Sequence, residues 1–261
     1  MHKTVAQSKD VPRAGRASGN LGEEAYVRMK AFILTSRILP GDRLLHRVLA
    51  QGLGMSSTPI REAMGRLVQE GYIRHIPNVG YSVPEMDAEE AEQLFEAREA
   101  LETHAVALAA AHIQPADLRL LARVALAFRR AIRRRPRKAR VLLDMEFHLT
   151  IVRLSRNRFL LQALEPLLHQ IAAKRNVENF PPQAGGLQAD QAHQRILDAL
   201  QQRAPELARR AMRDHLRQSK VHIVRQLKER RLSTQAKPPS SRMTRLGWPA
   251  GQRVSAIVGL R

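Results

Sequence analysis

The stretch "MSSTPIREAMGRLVQEGYIRHIPNVGYSV", Met55–Val83, decides the fold class of the N-terminal part of this chain. Its apolar residues recur along one helical face, at Ile60, Ala63, Met64, Leu67 and Val68. Ser56 or Ser57 is suited to cap the start of this helix, and Gly71 to lie just past its end. The spacing therefore predicts a short helix with well-defined ends.

A small hairpin is predicted after this helix, and two further helices before it. Tyr72–His75 and Tyr81–Val83 alternate in the manner of short strands. Helical spacing of apolar residues also covers residues 23–35 and 46–53. Three helices followed by a β-ribbon describe a winged helix-turn-helix, whose third helix enters the DNA major groove.

The outer face of the third helix is suited to DNA. Thr58 and Arg61 lie near its N-terminus, where backbone N–H groups favour phosphate and an arginine can donate two hydrogen bonds to guanine. Gly65 allows close approach of a backbone, and the turn at 78–80 is short enough for an adjacent minor groove. Spacing alone leaves a second interpretation open, a small helical subdomain with no nucleic-acid role.

The segment "PGDRLLHRVLAQGLGMSSTPIREAMGRLVQEGYIRHIPNVGYSV" resembles the DNA-binding module of GntR-family bacterial transcription regulators. It matches the family pattern at Pro40, Gly41, Leu44, Leu49, Ala50, Ser56, Thr58, Pro59, Arg61, Glu62, Ala63, Leu67, Glu70, Gly71 and Gly80. The resemblance implies that DNA is contacted by Arg47, Thr58, Arg61 and the wing tip at Gly80.

Two residues depart from the family pattern. His46 stands where the family usually has Glu, and Ser57 stands where it usually has an Arg that commonly contacts DNA. The loss of one charged contact weakens DNA binding by about 1–3 kcal/mol. Ser57 therefore belongs to the predicted DNA-facing set, and its identity predicts weaker or altered operator specificity, or compensation by basic residues elsewhere.

Beyond Pro84 the sequence predicts helices only. Their apolar patterns cover residues 88–112, 115–132, 138–156, 158–177, 187–202 and 205–230. Six helices without strands indicate an antiparallel bundle. We predict a mainly α protein with a winged helix-turn-helix and small β-ribbon wing at 21–84, an all-α antiparallel bundle at 87–232, and disordered tails at 1–20 and 233–261.

Four residues of the helical half form a candidate metal site. Asp144 and His148 are four residues apart and therefore lie on one face of one helix. His193 and His215 lie on later helices among apolar neighbours. One carboxylate and three imidazoles suit Zn²⁺, Ni²⁺ or Mn²⁺, with positions left open for a ligand. The alternative is that these histidines are ordinary core or surface residues.

The helical half resembles the effector domain of the FadR/FCD branch of the same family. The matching segments are "EAREALETHAVALAA", "DMEFHLTIVRLSRN", "AHQRILDAL" and "RRAMRDHL". The resemblance implies a homodimer in which the Asp-x-x-x-His, His, His set binds a divalent metal. It also implies that Arg98 meets an organic-acid effector; the alternative role for Arg98 is an ion pair with Glu102.

The remaining histidines are weaker candidates. His222 lies seven residues past His215, hence on nearly the same helical face, and is the best rival ligand, although a surface position is favoured. His104, His112 and His169 are interpreted as core or surface residues.

Composition limits the classes of protein to consider. The chain has no cysteine, no secretory signal and no apolar run of the ~20 residues that span a bilayer, which fits a cytoplasmic protein. Its net charge of +20 is concentrated in residues 1–20, 129–140 and 233–261, which carry +3, +8 and +5. We expect the run at 129–140 to connect two helices and to be mainly solvated.

Together these patterns predict a dimeric, ligand-responsive regulator that binds operator DNA and is not an enzyme. In the commoner case the free protein binds DNA and the effector releases it. One alternative is a non-specific nucleic-acid binder that acts through its basic segments. The other is a metal-dependent hydrolase, but the sequence has no H-E-x-x-H, G-x-S-x-G or P-loop motif, and Glu146 would point away from Asp144 and His148.

Overall fold

A computed structural model describes residues 21–35, 40–134, 137–175 and 185–234. The elements are α1 (Leu21–Thr35), β1 (Arg43–Leu44), α2 (His46–Leu53), α3 (Ser57–Gln69), β2 (Arg74–Ile76), β3 (Gly80–Ser82), α4 (Ala88–His112), α5 (Pro115–Arg134), α6 (Arg137–Leu154), α7 (Arg158–Lys174), α8 (Gly186–Gln201) and α9 (Pro205–Thr234). The predicted mainly helical class is confirmed. Both predicted tails fall outside the described residues, apart from the last two residues of α9. None of the helices within these ranges is long and apolar enough to cross a membrane.

The wing is a three-stranded antiparallel sheet in which β3 lies between β1 and β2. Ser82 of β3 faces Arg43 on one side and Arg74 on the other. Strand β1 was not predicted, because two residues are too few to show the alternation that marks a strand.

Helix α3 has the ends and the buried face that its sequence predicts. Ser56 is the N-cap in extended conformation, and Gly71 follows the C-cap with a φ of +75°. A left-handed φ of this kind favours glycine. The apolar face is buried in one core with α1, whose contributions include Met29 and Ile33. This packing leaves the opposite side of α3 exposed to solvent.

The helical half is organised around α4 and α9, which lie side by side and antiparallel. Its core includes the fully buried residues Val106, Ala109, Ile113, Leu121, Phe147, Ile151, Ile196, Met212 and Leu216. Asp87 caps α4 by accepting from the Glu90 N–H at 2.8 Å, and Asn157 caps α7 in the same way. The predicted antiparallel helical bundle is thereby confirmed.

A ladder of ion pairs joins the acidic side of α4, together with Glu85 just before it, to the basic side of α9. The pairs are Glu85–Arg230, Glu92–Lys228, Glu96–Lys220 and Glu99–Arg217. Exposed pairs of this kind contribute little stability individually. The pairs follow one another along both helices, so they are all formed only in one register. If α9 were shifted by one turn, each charge would lie opposite a different residue.

Helices α6 and α7 connect the bundle to the winged helix-turn-helix. Val141 and Met145 of α6 share a buried core with α1 and α3. The Lys138 ammonium group donates to the Ile33 carbonyl at 2.8 Å, and the Gln170 side-chain amide donates to the Glu70 carbonyl at 3.0 Å. The two halves are therefore packed together through a mixed apolar and hydrogen-bonded interface.

Candidate functional site

The four predicted metal ligands lie together in the bundle. Asp144 and His148 come from α6, His193 from α8 and His215 from α9, and their ligand atoms all lie within 4.8 Å of one another. His193 Nε2 is 3.3 Å from Asp144 Oδ1, and His148 Nε2 is 3.1 Å from His215 Nε2. Two ligands of a tetrahedral Zn²⁺ lie about 3.3 Å apart. The separations therefore fit a single first-row metal ion.

Glu102 of α4 orients His148 from the side away from this cluster. Its carboxylate is fully buried and accepts a hydrogen bond from His148 Nδ1, and its other oxygen accepts from Arg98 Nε at 2.6 Å. Because Nδ1 is engaged, His148 directs Nε2 toward the cluster. A carboxylate behind a ligand imidazole is the usual arrangement at metal sites, since it fixes the ring and raises its basicity.

Aromatic rings hold the other two imidazoles in place. His193 stacks on Phe147 with ring centroids 4.0 Å apart, and Phe128 contacts its ring at 4.8 Å. His215 stacks on His148 with centroids 5.0 Å apart. His193 and His148 are fully buried and His215 nearly so. Neither ring nitrogen of His193 has a hydrogen-bond partner among the described residues, and a metal ion shared by the three imidazoles would offset part of the cost of this burial.

The protonation states in the cluster suit metal binding. Burial lowers the pKa of His193 although the Asp144 carboxylate lies 3.3 Å from its Nε2, and burial lowers the pKa of His215 well below the usual value. Burial alone would raise the pKa of Asp144, but the adjacent His193 and the other two imidazoles outweigh that effect and lower it. Neutral imidazoles and an ionised carboxylate are the forms that bind a metal.

A cavity of about 70 Å³ adjoins the cluster. Asp144 and His215 line it together with Arg98. Arg98 is 3% exposed, and its Nη2 has no hydrogen-bond partner among the described residues. The two roles predicted for Arg98 are therefore compatible, because Nε pairs with Glu102 while Nη2 remains available inside the cavity wall.

Sequence reasoning missed two cationic residues of this cavity. Arg140 is buried in its wall and Arg175 also lines it, whereas the basic run 129–140 was expected to be mainly solvated. The expectation is wrong for Arg140, which lies one turn before Asp144 on α6 and therefore faces the interior. Arg129 is also engaged, in an ion pair with Asp190 at 2.8 Å.

Within the described ranges, the other histidines lie outside this group of four candidate ligands. His222 lines the cavity but lies against Gly185 rather than with the four ligands. His104 and His112 are exposed, and His169 is buried beside Tyr72 with ring centroids 6.2 Å apart. Burial in an apolar setting lowers the pKa of His169 to about 3.

The predicted DNA-facing residues lie on the open side of the winged helix-turn-helix. Arg47, Ser57, Thr58 and Arg61 are all exposed. Gly80 is half-buried, because it opens β3 and pairs with Ile76. The exposed tip of the wing consists instead of the two residues Pro77 and Asn78.

Comparisons with known proteins agree with both halves of this arrangement. The family model described as "Bacterial regulatory proteins, gntR family" matches residues 21–83, and the model described as "FCD domain" matches residues 93–218. An HTH-type transcriptional regulator from an unstable DNA locus of Streptomyces ambofaciens is 30% identical over 202 residues, which are 74% of this chain and 81% of the relative. YdhC of Bacillus subtilis, also an HTH-type transcriptional regulator, is 26% identical over 78% of this chain and 91% of its own length. The solved structure of McbR/YncC from E. coli superposes with a TM-score of 0.70 at 25% identity, covering 79% of this chain and 98% of that one.

Proposed function

Because the chain belongs to the GntR family of bacterial transcription regulators and carries an FCD domain, we propose that it is a dimeric, ligand-responsive regulator of an operator. A divalent metal bound by Asp144, His148, His193 and His215 would provide open coordination positions for a small carboxylate. The observation that carries the proposal is that these four ligands adjoin a cavity into whose wall Arg98 brings an unpaired donor.

DNA contact is assigned to the exposed side of α3 and its surroundings. Arg61 is placed to contact a base edge or a phosphate in the major groove, with Ser57 and Thr58 beside it at the helix N-terminus. Arg47 of α2 and the wing would contact the backbone on either side. A dimer would present two such helices to the two half-sites of a symmetric operator.

Helix α6 offers a direct route between the two sites. Asp144 and His148 face the cluster, while Val141 and Met145 pack in the core shared with α1. Consecutive helical residues differ by about 100° in direction, so one face of α6 contacts the ligand cluster and an adjacent face contacts the core shared with α1. A ligand that moves α6 therefore shifts the support on which the winged helix-turn-helix rests, and so couples effector binding to DNA affinity.

The sequence left two alternative functions open, a metal-dependent hydrolase and a non-specific nucleic-acid binder, and membership of a regulator family favours neither. A hydrolase would need a base beside the metal, but Glu146 pairs with Arg153 at 2.8 Å on the outer side of α6. The proposal and the non-specific alternative differ in how strongly DNA sequence affects affinity. A sequence-specific regulator binds its site about 10³- to 10⁷-fold more tightly than random duplex.

The test begins with duplexes selected from a random library by the purified full chain. At fixed salt, the wild type should prefer the selected duplex, and Arg61→Ala should weaken that binding about 10- to 100-fold. Arg119→Ala, an exposed arginine of α5, is the matched control and should bind as the wild type does. Equal affinity for selected and random duplex would refute the proposal.

The effector half of the proposal has a separate readout. We expect the purified protein to hold about one metal ion per chain, and His193→Ala to lose the ion while retaining helical circular dichroism. Small carboxylic acids should then change the DNA affinity of the wild type but not of His193→Ala. Retained metal in that variant would remove the proposed site.

A further inference from the structure

The cavity contains a second group of basic side chains, here called the cationic cluster, separate from the proposed metal ligands. Its charge comes from two arginines, whereas burial and the nearby Arg175 lower the pKa of His222, which therefore acts as a neutral hydrogen-bonding group. Arg140, Arg175 and His222 line it around Gly185 and Gly186, where α8 begins. A Cβ atom on Gly185 would lie 2.7 Å from His222 Nε2, and one on Gly186 would lie 3.1 Å from Arg140 Nη1. The side chains of Arg140 and His222 are therefore packed directly against the start of α8.

Two polar atoms of this cluster, Arg175 Nε and His222 Nε2, are enclosed without a hydrogen-bond partner among the described residues. Burial lowers the pKa of Arg175 to about 10; Asp144 opposes this shift, and Arg140 and Arg98 add to it. The N-cap of α8, Gly185, supplies no side-chain acceptor, and a helix N-terminus itself favours an anion.

Three helices contribute to both ends of the cavity. Arg140 and Asp144 are one turn apart on α6, His222 and His215 two turns apart on α9, and Gly186 and His193 two turns apart on α8. At about 1.5 Å per residue these spacings are roughly 6–10 Å. The cationic cluster therefore lies several ångströms from the metal ligands, along the same cavity.

We propose that the cavity binds an effector with two anionic groups, one at the metal and Arg98 and the other at the subsite formed by Arg140, Arg175 and His222. The inference rests on the proposed function and adds the class of ligand to it. A separation of several ångströms leaves room for a short acid with one anionic group at each end, held by a metal–oxygen bond at one end and charged hydrogen bonds at the other. The second anionic group is a carboxylate or a phosphate, because both accept hydrogen bonds from guanidinium groups.

The test compares matched acids by calorimetry on metal-loaded, full-length protein. Succinate and glutarate are paired with butyrate and valerate, and 3-phosphoglycerate is paired with glycerate. We expect the dianionic member of at least one pair to bind about 10- to 100-fold more tightly, since a charged hydrogen bond contributes this much. Which pair shows the preference identifies the second group as carboxylate or phosphate.

Variants locate the preference within the cavity. Arg175→Gln and His222→Gln should each reduce the preference while leaving the affinity for the monoacid within about 2-fold of the wild type, a difference of about 0.4 kcal/mol. Arg119→Gln, on the surface of α5, serves as the control, and thermal unfolding without ligand verifies that each variant is folded. Equal binding of both members of every pair by the wild type would refute the second subsite while leaving the proposed function intact. Equal weakening of both members by Arg175→Gln would refute it as well, whereas binding of no acid at all would refute both proposals.

Discussion

Glu102 of α4 and His148 of α6 are joined by a buried hydrogen bond although 46 residues separate them in the sequence. Burial would raise the pKa of Glu102, but Arg98 and His148 outweigh that effect and lower it, so the carboxylate is ionised and the imidazole Nδ1–H donates. A fourth helix thereby fixes the direction of a candidate metal ligand without contributing a ligand itself.

Removal of the Glu102 charge should weaken metal binding. We expect Glu102→Gln to lower metal affinity about 10- to 100-fold, because the imidazole loses both its orientation and part of its basicity. Competition with a chelator of known affinity measures the change. Glu99→Gln, which alters a carboxylate paired with Arg217 on the surface of the same helix, should leave metal affinity unchanged. Equal metal affinity of Glu102→Gln and the wild type would contradict the orienting role.

A second prediction concerns Ser57, which is exposed in the first turn of α3. Ser57→Arg should strengthen binding to the selected duplex by about 10-fold, since one added charged contact to DNA contributes 1–3 kcal/mol. Gln69→Arg adds the same charge at the other end of α3 and is the control. Fluorescence anisotropy at fixed salt gives both affinities. If the two variants tightened binding equally, the effect would be one of net charge and not of position 57.

A third prediction follows from His169, which packs beside Tyr72 and near the charges of Lys30 and Arg153. Its pKa is about 3 in the folded protein and about 6.5 in the unfolded chain. The unfolded state therefore binds more protons between these values, and stability falls as pH decreases through 6.5. From this residue alone the free energy of unfolding should drop by about 2 kcal/mol between pH 7.5 and pH 5.

His169→Gln should remove that part of the pH dependence, as measured by urea unfolding at several pH values. His112→Gln is the control, because His112 is exposed. His193 and His215 also have lowered pKa values, so in both variants the free energy of unfolding should still fall somewhat as the pH decreases. The same slope in His169→Gln and in the wild type would show that His169 is not held neutral.

A fourth prediction addresses communication between the two halves. The Gln170 amide donates to the Glu70 carbonyl at the C-terminal end of α3. Gln170→Ala should reduce the ratio of DNA affinities with and without effector by about 5-fold, the equivalent of a hydrogen bond contributing about 1 kcal/mol. Gln93→Ala, an exposed residue of α4, should leave the ratio unchanged. An unaltered ratio in Gln170→Ala would place the coupling elsewhere in the interface.

Local patterns in the sequence were sufficient to predict the main helices. The apolar stripe from Ile60 to Val68 and the glycine at 71 predicted α3, because a helix is determined by spacing and by its ends. The four-residue spacing of Asp144 and His148 placed both on one face of α6 for the same reason. Strand β1 and the wing tip were less accessible, since both depend on how distant strands pair.

The cavity itself could not be predicted from the sequence. Arg140 lies in a run of basic residues that resembles a solvated segment, and only the packing of α8 and α9 makes it a wall residue. Arg175 lies near the end of the helical pattern predicted for residues 158–177, and a charged residue at such a position is not marked as interior by the pattern. The group of Asp144, His148, His193 and His215 could be predicted because one carboxylate and three imidazoles form an unusual set, whereas a guanidinium group becomes a site residue only through the tertiary fold.

The ion-pair ladder between α4 and α9 also restricts where residues can be inserted or deleted in this sequence. Arg98 and Glu102 on α4 face the same interior as His215 on α9, so one inserted residue in either helix would turn the following side chains by about 100°. Such an insertion would separate the ladder partners and the cavity walls at the same time. Insertions and deletions should therefore be tolerated at the connections 113–114, 155–157 and 202–204, and rejected within the two long helices.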